Sequence, residues 1–298
     1  MVFAGFFSQN IPSPAPTATT AQYNINSLNI ANATAANDTI QPFAGDIHFS
    51  SDGTKAILTN LSQGADGGKI YTLPLSTAYD ITTIGTQSST SYPSNHAGNG
   101  EMYGISFNSD GTIMITVRNK DANNTTYYVY SLSTPYNASN YTVLNSNWEI
   151  GHSGTLDIDN AQGLHYYESG GSPYVLVSSL DTDRGLASFR LQDPTNNSWG
   201  SNSDKISTLQ HNTTYKFTCV WMNDDGTNVY GTMNNTLYQL TLSTAYDITT
   251  ATTDNTVVVG QNFNGLFFIT ESSGTKYMVY TTTTNTASTG DNIFKVQL

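Results

Sequence analysis

The sequence predicts an all-β fold, a five-bladed β-propeller, and three observations carry this prediction. The composition is rich in Thr and Tyr, which suit pleated strands, and in Asn, Ser and Gly, which suit turns. Residues 75–83 (LSTAYDITT) recur unchanged as residues 242–250. We call this repeated stretch the corner. The leucines that begin the corner or its degenerate copies stand at positions 75, 132, 191, 242 and 298, at intervals of 51 to 59 residues. Such a period indicates tandem copies of one structural unit.

The composition also limits the partners of the protein. Its formal net charge is −12, from 22 acidic and 10 basic residues among 298. A field of this sign repels nucleic acid and anionic lipid, so we expect neither nucleic-acid binding nor membrane insertion. The single Cys219 excludes an intramolecular disulfide and a Cys-based zinc site, and we expect it to be buried as a small apolar residue. No cofactor is expected.

The first twenty residues differ from the rest of the chain. They contain Val2, Phe3, Phe6 and Phe7, followed by three prolines. We interpret residues 1–20 as an extended docking arm, stiffened by its prolines, whose phenylalanines bury against another subunit. The alternative is a frayed terminus. The first basic residue is Lys55, so the positive segment of a secretory signal peptide is missing and secretion by that route is not expected.

Three of the units share one order of elements. Each begins with an apolar strand, an Asp-Gly turn and a second strand. A variable loop and a third strand follow, and the third strand ends at the Leu-Ser-Thr corner. Glycine accepts the positive φ that such a turn needs. The turn residues are Asp52, Gly53, Asp110, Gly111, Asp225 and Gly226. The units that begin at Gly163 and Gly265 are degenerate, and we expect longer first turns in both. The predicted blades cover residues 45–87, 103–147, 160–208, 216–259 and 262–298.

The fifth unit ends at Leu298, before a fourth strand. Residues 27–34 (SLNIANAT) follow the pattern of residues 245–252 (AYDITTAT), which surround the fourth strand of another unit. We therefore predict a closing strand within residues 21–36, which completes the last blade and covers its edge. The propeller then spans residues 21–298. The alternatives are a pair of β-sandwiches, or a sixth blade within residues 84–102 or 147–162.

The inner strands of the predicted ring offer few groups for chemistry. We expect Gly45, Gly104, Gly163 and Gly265 to begin these strands, because a narrow channel leaves little room for side chains, and Cys219 is the comparably small residue of the fourth unit. Asp46, His48 and His165 could face the channel as in metal-dependent lactonases, but hydrogen-bonded core histidines are the favoured interpretation. No metal site and no catalytic residue is predicted, so we expect no enzyme.

Other polar and aromatic residues leave alternatives open. The Asp-Gly turns match sialidase Asp-boxes poorly, and the chain has only three arginines for a substrate carboxylate. The acidic pairs near residues 157–159 and 181–183 could bind calcium, although solvated turn carboxylates are favoured. Four aromatic residues could stack on a glycan or anchor their own blades. They are Tyr92, Tyr136, Trp148 and Trp199.

The sequences 51–55 (SDGTK) and 75–82 (LSTAYDIT) resemble a tandem repeat of propeller proteins encoded by bacteriophages, especially those of aquatic bacteria. This resemblance implies a structural virion component, such as a capsid decoration, a tail or fibre protein or an adaptor, and it offers no catalytic residues. We therefore expect a non-enzymatic virion protein, made in the host cytoplasm. Its arm would join other virion proteins in a symmetric, multi-copy assembly, and its loops could present a surface for host attachment through a cell-surface glycan. The alternatives are a carbohydrate-binding, lectin-like propeller and a propeller hydrolase or lactonase.

Overall fold

The computed structural model describes residues 23–36, 44–60, 69–91, 101–121, 124–149, 158, 160–180, 185–191, 210–282 and 293–298. Within these residues, twenty strands form five four-stranded antiparallel sheets. The five-bladed β-propeller is therefore confirmed, and the two-sandwich alternative is wrong. The described residues of the ranges proposed for a sixth blade instead contribute strands to the five sheets. In the same part of the chain, no helix is long and apolar enough to cross a membrane.

The strands of each blade follow one another outward from the axis. Blade one contains β2 (Ala44–Phe49), β3 (Lys55–Asn60), β4 (Lys69–Pro74) and β5 (Ser88–Ser91). Blade two contains β6 (Glu101–Phe107), β7 (Ile113–Asp121), β8 (Asn124–Leu132) and β9 (Tyr141–Glu149). Blade three contains β10 (Ala161–Ser169), β11 (Ser172–Ser179), β12 (Leu186–Arg190) and β13 (Gln210–Asn212). Blade four contains β14 (Val220–Met222), β15 (Asn228–Met233), β16 (Thr236–Leu242) and β17 (Ala251–Val258). Blade five contains β18 (Gly265–Thr270), β19 (Lys276–Thr281), β20 (Ile293–Gln297) and β1 (Thr34–Ala35).

The hydrophobic core lies between the blades. Five clusters of buried residues fill the five interfaces between neighbouring sheets, including the interface between blade five and blade one. Ile269 and Val279 of blade five, for example, pack against Phe49 and Leu58 of blade one. Each sheet therefore buries both faces against its neighbours, which accounts for the apolar inner and middle strands.

The Asp-Gly turns of blades one, two and four are each covered by a tyrosine from their own corner. In blade one, Gly53 has a φ of +69° and donates its N–H to the Ser50 carbonyl at 2.8 Å. Tyr79 donates its backbone N–H to the Gly53 carbonyl at 2.8 Å and its hydroxyl to the Ser51 carbonyl at 2.8 Å. A Cβ on Gly53 would lie 2.4 Å from the Tyr79 ring, so only glycine fits beneath it. Gly111 with Tyr136 and Gly226 with Tyr246 repeat this tyrosine cap.

The two degenerate units differ from our expectation of longer first turns. In blade three, Ser169 pairs with Ser172 across a two-residue turn, Gly170 and Gly171, whose φ values are +58° and +74°. Consecutive glycines with positive φ make a tighter hairpin than the Asp-Gly turn. In blade five, Thr270 pairs with Lys276, and the turn keeps the Gly274 of positive φ. Longer first turns are therefore wrong for both blades.

The chain closes the ring as predicted, with a shorter strand than predicted. β1 pairs antiparallel with β20 through Thr34 and Lys295 and through Ala35 and Phe294. A 3-10 turn at Ile30–Asn32 precedes β1, and Asn29 caps it as Asp247 caps the turn Ile248–Thr250 before β17. The described residues before this turn form no strand. Instead, their apolar side chains Tyr23, Ile25 and Leu28 are buried with blades four and five.

The innermost strands approach one another closely, although Gly45 is not the residue that permits it in blade one. The pairs Phe49–Ala56 and Phe107–Met114 are equivalent in the two blades, so Asp46, one residue after Gly45, stands at the position of Gly104. A Cβ on Gly104 would lie 2.6 Å from the Leu164 Cβ of blade three, and one on Gly265 would lie 2.7 Å from the Asp46 Cα. The close approach that we expected at Gly104, Gly163 and Gly265 is therefore present, whereas blade one carries a carboxylate there.

Candidate functional site

The inner strands present two matching sets of residues toward the propeller axis, because side chains two positions apart share one face of a strand. The first axial layer, placed by the close contacts of its glycines, consists of Asp46, Gly104, Gly163, Cys219 and Gly265. The second axial layer, two residues further along each strand, consists of His48, Ser106, His165, Trp221 and Phe267. Three glycines therefore leave space on the axis for the Asp46 side chain.

The Asp46 carboxylate of blade one is hydrogen-bonded to its own strand and to blade two. Its Oδ1 accepts the Ile47 N–H at 2.9 Å, and its Oδ2 accepts the Ile105 N–H at 3.2 Å. The N–H groups of Leu164 and Leu266, at equivalent positions of blades three and five, also favour its ionised form. Burial raises the pKa of this carboxyl well above its usual value, although the four N–H donors oppose that shift by favouring the ionised form. The Asp46 carboxylate is thus fully engaged by the backbone.

A cavity of about 510 Å³ lies on the axis at the hairpin ends of the inner strands, and we call it the axial pocket. All five blades contribute to its lining, and ten of its twenty lining residues are Phe, Tyr or Trp. Phe267, His48 and His165 of the second axial layer remain partly exposed in it. Buried walls stand behind them, formed by Tyr23, Phe107, Tyr136, Tyr166, Trp221 and Phe268.

The two histidines are held neutral among these rings. The His48 ring centroid lies 5.0 Å from that of Phe107 and 5.1 Å from that of Phe267, and His165 lies 5.5 Å from Trp221. Burial lowers the pKa of both imidazoles to about 3, and for His48 the nearby His165 adds to this shift. At neutral pH each imidazole therefore carries one N–H donor and one acceptor nitrogen.

The rim of the axial pocket is polar and acidic. Glu168 and Asp224 are exposed there, and the Tyr166 hydroxyl donates to Glu168 Oε1 at 2.9 Å. Tyr23 of the N-terminal segment forms part of the wall, with its hydroxyl 3.0 Å from Thr270 Oγ1. The described residues that line the pocket include no Lys or Arg, so an anionic ligand would find no cation there.

A larger cleft of about 860 Å³ lies at the seam between blades five and one. In this cleft, Lys295 Nζ donates to Glu271 Oε1 at 2.8 Å and to the Tyr79 carbonyl at 2.9 Å. Because these contacts hold blade five to the corner of blade one, we assign this cleft to closure of the ring.

The structure places the remaining predicted residues as follows. Tyr136 is buried, caps the Gly111 turn and borders the axial pocket, whereas Trp148 lies in β9 opposite Tyr127. Cys219 is buried as expected, and burial raises the pKa of its thiol to about 12. The described residues contain no group of three or more His, Cys, Asp or Glu side chains that could hold a metal ion. The remaining predictions fall outside the described residues: Val2, Phe3, Phe6 and Phe7, Tyr92, Trp199 and the acidic pairs at 157–159 and 181–183.

Sequence reasoning missed most of the axial pocket. Phe267 follows Gly265 by two positions, as Ser106 follows Gly104 and Trp221 follows Cys219, so alignment of the inner strands at these residues would have placed Phe267 in the second axial layer. No local signal marks Tyr23, since it reaches the pocket only through the closure of the ring.

No protein-family model and no curated protein sequence matches this chain. Among solved structures, it is similar to an alpha-L-arabinofuranosidase from Lactobacillus brevis, with a TM-score of 0.53 and 12% identity over 88% of this chain and 92% of that one. It also matches the β-propeller domain of Cps50 (Swd1) from Myceliophteria thermophila, with a TM-score of 0.44 and 9% identity over 89% of this chain and 99% of that one. At these identities the first likeness shows the fold alone.

Proposed function

We propose that this chain is a non-enzymatic structural protein of a bacteriophage virion, which serves as a capsid decoration, a tail or fibre component, or an adaptor. In this role the N-terminal arm joins other virion proteins in a multi-copy assembly, and the propeller exposes its loops for attachment to the host surface. The resemblance of the 51–55 and 75–82 repeats to phage propeller proteins supports the virion assignment. The non-enzymatic part is supported by the axial groups.

The acid–base groups at the axis are the observation that carries the non-enzymatic proposal. A general acid or base works best when its pKa lies near the operating pH. Burial lowers the pKa of His48 and His165 to about 3, well below neutrality, so both imidazoles are weak bases. Asp46 accepts the backbone N–H groups of Ile47 and Ile105. The groups that the hydrolase alternative would use are therefore already occupied or uncharged.

The fold shared with an arabinofuranosidase does not by itself favour glycoside hydrolysis. That chemistry uses two carboxyl groups on opposite sides of one glycosidic bond. Glu168 and Asp224 stand at the exposed rim of the axial pocket, while Asp46 lies in the first axial layer beneath it. A lactonase-like metal centre would need Asp46, whose oxygens face N–H donors rather than an open coordination position.

A carbohydrate-binding role is the second candidate, and the aromatic axial pocket favours it. This role is compatible with a virion protein, because attachment to a host-surface glycan is one use of an exposed propeller. It differs from the structural proposal in what it requires. The structural role needs the arm, whereas glycan binding needs a recognition site in the ring.

Incorporation into particles tests the structural proposal. We expect the full-length chain with Phe3, Phe6 and Phe7 all changed to Ser to remain folded and soluble, because these residues precede the propeller. The variant should be depleted from purified phage particles when mass spectrometry compares it with the wild type. A chain with Asn24 and Asn26 changed to Ser, two exposed positions of the closing segment, is the matched control. Undiminished incorporation of the Phe variant would count against the arm, and absence of the wild type from particles would refute the virion role.

A further inference from the structure

The axial pocket has the dimensions of a small-molecule site. Its volume of about 510 Å³ lies within the range of roughly 300–1,000 Å³ that is usual for ligand pockets. Four residues of the second axial layer line the pocket, so it is built on strands rather than on loops alone. Its walls are fixed by ring contacts between blades, such as Trp221 with Phe268 at 4.9 Å and Tyr23 with Trp221 at 5.4 Å.

The charges around the pocket exclude one class of ligand. Glu168 and Asp224 at its rim are acidic, and no Lys or Arg stands among its described lining residues. A phosphate, sulfate or carboxylate ligand would therefore lose its hydration without gaining a cationic partner. The ligand that this pocket favours is therefore uncharged or cationic.

The neutral imidazoles favour an uncharged, hydroxyl-rich ligand over a cationic one. His48 and His165 each offer one donor and one acceptor. Asn108, partly exposed in the same pocket, accepts the Ile113 N–H at 2.8 Å and donates to Thr112 Oγ1 at 3.3 Å, which leaves one amide N–H and one lone pair for a ligand. A hydroxyl group also donates and accepts, so a ring of hydroxyls can use all of these groups. An ammonium ion, by contrast, would leave the imidazole and amide N–H donors without partners.

Phe267 supplies the apolar surface that such a ligand would also require. It is the phenyl ring of the second axial layer, it remains partly exposed, and it lies 5.1 Å from His48 and 5.4 Å from Phe49, centroid to centroid. The face of an aromatic ring is negatively polarised and attracts the positively polarised C–H groups on one face of a sugar. The pocket therefore combines an apolar ring with paired donors and acceptors.

We propose that the axial pocket binds one neutral hexopyranose unit, with an apolar sugar face on Phe267 and sugar hydroxyls bonded to His48, His165 and Asn108. This inference rests on the carbohydrate-binding candidate and not on the virion role. It assigns recognition to the axis of the ring rather than to Trp148, Trp199 or Tyr92.

Saturation-transfer NMR with full-length protein tests the proposal. The probes are methyl α-glucoside, methyl α-galactoside and methyl α-mannoside, followed by titration of any that binds. We expect at least one to bind, and Phe267→Leu to weaken it by about tenfold or more, because leucine preserves apolar packing but removes the aromatic face. Phe294→Leu is the matched control, since Phe294 is also a partly buried ring of blade five and lies outside the pocket. Urea unfolding of both variants shows whether each ring is intact.

Each other outcome overturns the proposal in a distinguishable way. A sugar that binds equally well to wild type and Phe267→Leu would support the carbohydrate-binding function but would show that the axial pocket is not the binding site. If none of the three glycosides binds, and no glycan on a general array binds, both the carbohydrate-binding function and the axial site are refuted. Binding of tetramethylammonium in place of the sugars, with loss in Phe267→Leu, would show that the pocket takes cations. His165→Leu is a second variant, and we expect it to weaken sugar binding without abolishing the fold.

Discussion

The tyrosine cap over the Asp-Gly turns gives a sharp quantitative prediction for Gly226→Ala. Gly226 has a φ of +68°, and an added Cβ would lie 2.3 Å from the Tyr246 ring. A residue other than glycine costs about 1–2 kcal/mol in that conformation. The ring must also move, which weakens the hydrogen bond from the Tyr246 hydroxyl to the Asp224 carbonyl and the stacking on Tyr167 at 5.4 Å. These two losses add about 2 kcal/mol.

Gly274→Ala provides the matched control in blade five. Gly274 has a φ of +83°, and an added Cβ would meet no atom within 4 Å. This variant should therefore lose only the backbone contribution of about 1–2 kcal/mol. Urea unfolding, followed by circular dichroism, should show Gly226→Ala to be less stable than Gly274→Ala by about 2 kcal/mol.

A double-variant cycle separates the cap from the backbone effect. In a Tyr246→Ala background, Gly226→Ala should cost only as much as Gly274→Ala does in the wild type, because the clashing ring is gone. Equal losses for Gly226→Ala and Gly274→Ala in the wild-type background would refute the reasoning, since the tyrosine would then contribute nothing to the turn.

Three further predictions concern the axis and the seam. Burial raises the pKa of Asp46, so the stability that its protonated form contributes is present below the unfolded pKa and is lost as the pH rises through the folded pKa. The stability advantage of the wild type over Asp46→Ala should therefore shrink from about pH 4 to pH 8. An advantage that grows over this range would contradict the assigned direction. Cys219 has a buried thiol with a pKa raised to about 12, so iodoacetamide at pH 8 should label it only after unfolding, and rapid labelling of the native protein would show that it is accessible. Ile25→Ala should lower the free energy of unfolding by about 2–5 kcal/mol, because Ile25 is fully buried between blades four and five. The control Asn26→Ala, at an exposed position, should change it by less than about 0.5 kcal/mol. Similar losses for the two variants would mean that the closing segment does not pack as described.

The sequence predicted the parts of the fold that repeat. The corner leucines at 75, 132, 191, 242 and 298 all donate their backbone N–H to the strand beside them, at 2.7 to 3.0 Å. Their spacing therefore counted the blades correctly, because each blade needs the same bond at the same place. The capped turn at Asn29 was also predictable from the pattern of Asp247, since both side chains accept an N–H two residues ahead.

The parts that depend on one blade meeting another were not predictable from these patterns. The N–H groups that the Asp46 carboxylate accepts come from blade two as well as from its own strand. The buried positions of Tyr23 and Ile25 depend on blades four and five, which lie some two hundred residues away in the chain. The axial pocket likewise exists only when five inner strands meet, so single motifs could suggest its histidines but not its aromatic walls.

The pairing of β1 with β20 has a consequence for synthesis of the protein on the ribosome. Thr34 leaves the ribosome long before its partner Lys295, and at about 5–20 residues per second the interval is on the order of 10–50 s. During that time the hydrophobic faces of blades one and four have no blade five between them. A nascent chain of this kind is open to capture by chaperones, or to exchange of its early strand with a second nascent copy, until the final sheet is made.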